Sequence, residues 1–279
     1  RITAINGKPT KGMSVEDASN QIRGEVGSKV SLRIGRDGTS EFNLPLTRAR
    51  IELQAVRYSL RQEGKNRVGY IRLNEFSSHA AEQMQRAIQD LAAQKVNAYV
   101  LDLRGNPGGL LQSSIEISRM FMDKGAIVRT VDRRGGKEEF VANSNALTKL
   151  PLAVIVDGNS ASSSEILTGA LKDNKRATVI GSQTFGKALV QSVHSLSDGS
   201  GLAVTIAHYY TPNGTDISHK GVTPDIKIDL TDAQRKFLAT NPKLIGTKQD
   251  PQYARALAAL EQTAFNQTPS QQSLVSPIK

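Results

Sequence analysis

Hydrophobic and polar positions along the chain change rhythm near residue 47. Before it the runs are short and alternate: Val30, Leu32 and Ile34 interleave with Ser31 and Arg33, Asp37-Gly38 turns the chain, and Phe42, Leu44 and Leu46 bring it back. Ahead of that hairpin, Arg1 to Ile5 reads as a strand closing in an Asn6-Gly7 turn. A helix then opens with Ser14 as its cap, carries Val15, Ala18 and Ile22 at helical spacing and ends at Gly24. Residues 1–46 therefore predict a small α+β module, with few apolar positions for a core of its own. Residues 47–67 are polar and rich in Arg and Lys, which predicts a connector or a strand leading out of the module.

From Val68 the pattern lengthens. Val68 to Leu73 is a strand, and Ala81, Met84, Ile88 and Leu91 mark one face of the helix after it. Asn97 to Leu103 has almost no polar alternation, as expected of a strand buried on both faces. A helix over 110–122 and apolar runs at 126–131 and 152–156 follow. Strands alternating with helices predict an α/β core over 68–230, with Val190 to His194 and Leu202 to Tyr210 as strands that close its sheet. Thr231 to Gln234 has the form of a capping box, and Asp250-Pro251 starts a helix with Tyr253, Leu257 and Leu260 on one face. These make 231–265 a helical extension. The Gln-, Ser- and Pro-containing residues 266–279 read as a disordered tail.

Composition narrows the function classes. The 279 residues contain no cysteine, which removes disulfides, thiolate metal sites and a cysteine nucleophile. The net charge of +10 raises nucleic acid and anionic membranes as partners. The basic residues are scattered, however, and not interleaved with aromatics, so no nucleic-acid partner is expected, while peripheral membrane association stays a candidate. No apolar run reaches the roughly 18–20 residues needed to cross a bilayer. The chain opens on Arg1, not Met, as expected of a processed or trimmed product.

Chemistry concentrates between Asp157 and Gln191. A small-residue turn, Asn159 to Ser164, joins an apolar strand to a helix, and Thr184-Phe185-Gly186-Lys187 follows a second strand. A hydroxyl on one turn and a lysine on another are the parts of a serine nucleophile with an amine base. Alone, the serines equally read as helix caps. The turn Arg104 to Leu110, with Gly108 and Gly109, presents N–H groups at a helix start, although such turns also arise for steric reasons. His79, His194, His208 and His219 supply a histidine alternative, but no H-E-x-x-H helix occurs.

The stretches DLRGNPGGLL, GNSASSSEILTGALKDNKRA, GSQTFGKALVQ and YYTPNGTDISHKGVTPDI together resemble the C-terminal processing peptidases, a Ser/Lys family, in register over residues 1–230. The resemblance is closest to cyanobacterial members. It implies an α/β fold with a crotonase/ClpP-like protease core. It also implies an N-terminal PDZ domain, of which 1–46 would be the back half, its carboxylate-binding loop and groove strand lying upstream of Arg1. By the same resemblance Ser162 is the nucleophile, Lys187 the general base and Gln191 the residue that orients it. The N–H groups of Ser163 and of Gly108 or Gly109 form the oxyanion hole, and Glu165 and Asp173 are supporting. The substrates implied are protein C-terminal tails, cleaved with no metal or organic cofactor, in a periplasm or thylakoid lumen. A non-catalytic peptide-binding scaffold and an acyl-CoA enzyme on the same core are the rivals. Because an amine accepts the Ser162 proton only when uncharged, Phe185, Leu189 and neighbouring strands are expected to keep Lys187 dry.

Overall fold

The computed structural model describes residues 1–49 and 54–262. It divides between residues 53 and 54 into two compact units. In the first, β1 (Ile2–Ile5), β2 (Lys8–Pro9), β3 (Lys29–Ile34) and β4 (Phe42–Thr47) form an antiparallel sheet in the order β2-β1-β3-β4. Helix α1 (Val15–Ile22) starts where Ser14 accepts the Asp17 N–H at 3.0 Å. Ile5, Val30 and Leu32 are its buried centre, with Ala18, Ile22 and Ile34 packed around them.

The second unit is built on six strands in the order β14-β11-β10-β7-β6-β5. Strands β6 (Asn66–Leu73), β7 (Ala98–Asp102), β10 (Leu152–Val156), β11 (Thr178–Gly181) and β14 (Ile226–Lys227) run parallel, and β5 (Val56–Glu63) pairs antiparallel with β6. Of the span read as connector or strand, residues 56–63 are thus the edge of this sheet. Residues 50–53, and the tail expected over 266–279, lie outside the described residues.

Every residue of β7 and β10 is buried, because helices cover both faces of the sheet. Tyr99, Leu101, Val154, Val156 and Val179 point to the side of α2 (Ala80–Ala93), α3 (Leu111–Phe121) and α4 (Ser163–Asp173). The alternate residues Val100, Ala153, Ile155 and Ile180 pack against Tyr253, Ala256 and Leu257 of α6 (Pro251–Leu260). Helix α6 thus covers the sheet's second face; a parallel sheet left bare there would expose an apolar surface. Helix α5 (Asp232–Thr240) precedes it, with the Thr231–Gln234 capping box formed.

The late strands correct an expectation. Strands β12 (Leu189–Ser195) and β13 (Gly201–Tyr210) do not close the parallel sheet. They join β8 (Ala126–Asp132) and β9 (Lys137–Val141) in an antiparallel sheet of order β12-β13-β8-β9. Their sequences explain it: Ser192, His194, Ser195, Thr205 and His208 place polar side chains along strands that a doubly covered sheet could not bury.

Candidate active site

Three neighbouring parallel strands, β7, β10 and β11, deliver their C-terminal ends to one place, the usual position of a site in an open α/β sheet. The β7 end leads into the turn 103–110, β10 into 157–162 and β11 into 182–188.

Ser162 stands at the head of α4 with φ 54° and ψ −116°. A left-handed backbone on a residue with a Cβ costs free energy, on the order of 1–3 kcal/mol, and persists only where its surroundings enforce it. Those surroundings are visible. Ala161 N–H donates to Asn106 O at 3.0 Å and Ser164 Oγ to the same carbonyl at 3.0 Å. Ser163 Oγ donates to Gly109 O at 3.0 Å. Ser160 Oγ donates to Leu103 O at 2.9 Å. Ser160 and Ser164 thus belong to the framework of the turn, while Ser162 is partly exposed.

The glycine pair is set against that serine. A Cβ on Gly108, whose φ is 102°, would lie 2.7 Å from Ala161 O and 2.8 Å from Ser162 Cβ. One on Gly109 would meet Phe76 O at 2.4 Å. Phe76 N–H donates to Gly108 O at 2.9 Å and Leu110 N–H to Phe76 O at 2.8 Å, so the segment after β6 holds the loop like a short bridge. Asn106, fully buried, spans the loop: its Nδ2 donates to Leu73 O at 2.9 Å and its Oδ1 accepts the Gly108 N–H at 2.9 Å.

Glu165, also fully buried, gathers the serine turn and the lysine turn. Its Oε2 accepts the N–H of Ser162 at 2.8 Å and of Lys187 at 2.9 Å. Its Oε1 accepts Thr184 Oγ1 at 2.6 Å and the Gly186 N–H at 2.7 Å. A carboxylate offers acceptors only, so four donors converging on it suit it well. Gly186 in turn packs on the segment 219–221, where a Cβ would come within 2.8 Å of Lys220 N. Among the histidines, all exposed, His219 donates its main-chain N–H to Gly186 O at 2.9 Å. Tyr209 is 2% exposed, and its hydroxyl donates to Ser162 O at 3.0 Å and to Lys187 O. Burial, with the Glu165 charge beside it, pushes the Tyr209 phenol above its ordinary range, so it remains a donor.

Lys187 itself is exposed, and Phe185 beside it is 63% exposed. The dry lysine expected from the apolar neighbours is therefore not what the fold provides, because the turn leads into the exposed β12–β13 hairpin and not into the parallel sheet. Gln191 lies exposed on β12 beside the register shift between Val190 and Gln191. Asp173, at the other end of α4, accepts the Asn213 N–H at 2.9 Å, away from these turns. Between the first residue of α3 and the start of β12 opens a cavity of about 560 Å³ whose walls include Leu111, Phe140, Val190 and Ile206.

Arg104, at the start of the glycine turn, is buried among acids. It donates to Asp102 at 2.6 and 2.9 Å, to Asp250 at 2.7 and 3.0 Å and to Gln252 Oε1 at 3.0 Å. Asp102 also accepts the Tyr70 hydroxyl at 2.6 Å. Burial acts to raise the Asp102 carboxyl, but Arg104 overrides it and holds the group below the ordinary carboxylate range.

Sequence reasoning reached the serine, the lysine and the glycines, and passed over Asn106, Thr184 and Tyr209. A buried Asn inside a glycine turn leaves a faint signal at most; Tyr209 sits inside a quoted motif but nothing local distinguishes it from Tyr210.

The segment containing all of these turns, residues 67–228, matches peptidase family S41, and the chain belongs to that family. Within it, the relatives are C-terminal processing peptidases. The chain is 47% identical over 229 residues to a carboxyl-terminal-processing protease of Synechocystis sp., covering 81% of this chain and 53% of that protein. It is 42% identical over 266 residues to the one of Picosynechococcus sp., covering 94% and 62%. Carboxyl-terminal-processing peptidase 2, chloroplastic, of Arabidopsis thaliana is 46% identical over 231 residues, covering 80% and 45%. The chain thus spans about half the length of the curated relatives it matches. Among solved structures, a photosystem II D1 C-terminal processing protease aligns with TM-score 0.57 and 37% identity, covering 81% of this chain and 62% of that one. An S41 protease structure from Bacteroides fragilis, at TM-score 0.62 and 18% identity over 94% of this chain and 72% of that one, shares the fold.

Proposed function

We propose that this chain is the catalytic part of a serine endopeptidase that cleaves proteins near apolar C-terminal tails, on a crotonase/ClpP-like core, with residues 1–46 as part of a PDZ domain. Ser162 is the nucleophile, uncharged Lys187 the general base, and Gln191 the residue that orients the amine. The observation carrying the reading is the strained Ser162 at the head of α4, joined by main chain to Lys187 through one Glu165 oxygen. Backbone strain at a hydroxyl-bearing residue on a strand-to-helix turn is what a nucleophile turn looks like, and a peptide-binding scaffold or a thioester enzyme has no use for the pairing with a lysine.

The oxyanion hole is assigned to the N–H groups of Ser163 and Gly109. Ser163 is the first residue of α4, whose leading N–H groups have no partner within the helix. Gly109 is preferred over Gly108 because Asn106 already accepts the Gly108 N–H. Each such donor contributes about 3 kcal/mol to stabilising the tetrahedral intermediate.

In the cycle, Lys187 takes the Ser162 proton as Oγ adds to the scissile carbonyl. The amine then returns that proton to the leaving nitrogen, and water hydrolyses the acyl-enzyme. Lys187 is open to solvent, so we assign its desolvation to the substrate, which covers the lysine when its apolar tail fills the cavity beside Leu111, Val190 and Ile206. The partners are then protein tails in a periplasm or thylakoid lumen, as the named relatives suggest. The test is turnover of an unstructured protein with a small apolar C-terminus. Ser162→Ala and Lys187→Ala are each expected to lose at least about a thousandfold in kcat while keeping the wild-type circular dichroism. Turnover by either variant at the wild-type rate ends the reading.

A further inference from the structure

The link between the two reacting side chains is made twice, and the second link has no role in the cycle described above. Glu165 joins Ser162 and Lys187 through their N–H groups. Tyr209 joins the same two residues through their carbonyls, its single hydroxyl shared between Ser162 O at 3.0 Å and Lys187 O. We propose that Tyr209 is a positioning residue of the protease, setting the spacing of nucleophile and base through their carbonyls while Glu165 holds their N–H groups. The inference rests on the Ser162–Lys187 reading.

Three observations separate this role from ordinary core packing. The Ser162 carbonyl is already used by α4: Glu165 N–H donates to it at 2.7 Å and Ile166 N–H at 3.0 Å. The helix therefore does not need the phenol to satisfy that oxygen, and what the hydroxyl adds is the connection to Lys187. Tyr209 is also fixed independently of its hydroxyl. Its N–H donates to Ala188 O at 3.0 Å, its position on β13 pairs with Thr130 of β8, and its ring belongs to the main hydrophobic core. A mount held on two strands can define a distance. Finally, carbonyls accept and cannot donate, so the contact requires a phenol O–H, and the environment keeps the proton on it.

The local geometry explains why a second tie is useful. Lys187 is exposed where the chain enters the β12–β13 hairpin, whose Val193, Leu202 and Ile206 are also exposed. The Glu165 contacts hold the N–H of each residue, and the Tyr209 hydroxyl adds a hold on the Lys187 carbonyl that is tied to the Ser162 carbonyl α4 already fixes. A displacement of about 1 Å at reacting atoms costs on the order of a hundredfold in rate.

Tyr209→Phe keeps the ring and removes only the shared hydroxyl. In the whole chain it is expected to lower kcat on an apolar-tail substrate about tenfold or more, with KM within twofold and a thermal midpoint within a few degrees of wild type. The rate at which a small sulfonyl fluoride labels Ser162 should fall by the same factor, since that reagent needs the activated serine and not the substrate cavity. Lys187→Ala, measured in parallel, should be inert to both. Wild-type kcat and labelling in Tyr209→Phe beside an inert Lys187→Ala overturn the inference and leave the dyad standing. A loss in Tyr209→Phe that tracks a collapsed midpoint, or appears in KM alone, also overturns it, because that is structural support. Normal labelling and turnover by Lys187→Ala sink the dyad reading, and the inference falls with it.

Discussion

At the scale of single residues the site is made by close approach. Gly108 is the tightest case, a glycine with φ 102° whose missing side chain leaves room for Ala161 O and the Ser162 Cβ. Adding a methyl group strains the backbone and drives the glycine and serine turns apart at once. Gly108→Ala is therefore expected to cut kcat about a hundredfold or more, by moving the Gly109 N–H and Ser162 relative to each other. Steady-state kinetics with the apolar-tail substrate checks it, and unchanged kcat would mean that the loop yields without cost. Glu165 makes the same point from the polar side. Its four acceptor contacts join two turns, and the three to Thr184, Gly186 and Lys187 are not visible from spacing alone.

At the scale of elements, the helix with the most unexpected place is α6. It begins at Asp250, which accepts the Gln252 N–H at 3.1 Å as an N-cap and binds Arg104 through both oxygens. Arg104 opens the glycine turn, so the element that covers the second face of the sheet is latched to the loop that carries Gly108 and Gly109. A buried arginine deprived of one carboxylate is left undercompensated, and breaking such a pair costs about 3–5 kcal/mol. Asp250→Ala also removes the cap. The variant should lose about that much in stability by urea denaturation, with the C-terminal helix detaching first in hydrogen exchange. A loss under 1 kcal/mol would show that α6 is held by its apolar face alone.

At the scale of the whole molecule, the buried charges determine the response to acid. Arg104 keeps the Asp102 carboxyl below its ordinary range in the folded chain. A carboxyl depressed on folding contributes stability that is complete above its unfolded pKa, about 3.9, and is lost as pH falls through the lower folded value. The thermal midpoint should consequently show no change from this group between pH 5 and 7 and a decline below about pH 4. Asp102→Asn should start lower at pH 7 and decline less over the acid range. An identical acid profile in both would remove Asp102 from the account.

Much of this was legible in the amino-acid order. The change of rhythm near residue 47, the unalternating strands 97–103 and 152–156, and the helix with Met84, Ile88 and Leu91 on one face follow from local periodicity, because a strand buried on two sides and an amphipathic helix have different patterns. The family, too, was readable from four motifs in order. Exposure was not. Whether Lys187 would be dry depended on which sheet β12 joined, and β12 pairs with β13, which in turn pairs with β8, a strand distant in sequence. Nor could spacing reveal that Asp250 reaches Arg104, 146 positions earlier in the chain. Sequence by itself determined the elements and the reactive residue types, since those depend on neighbours along the chain. Only the tertiary structure decided which turns share a carboxylate, which glycine N–H is already taken and which tyrosine holds the serine and lysine together, since those depend on distances that chain order does not encode.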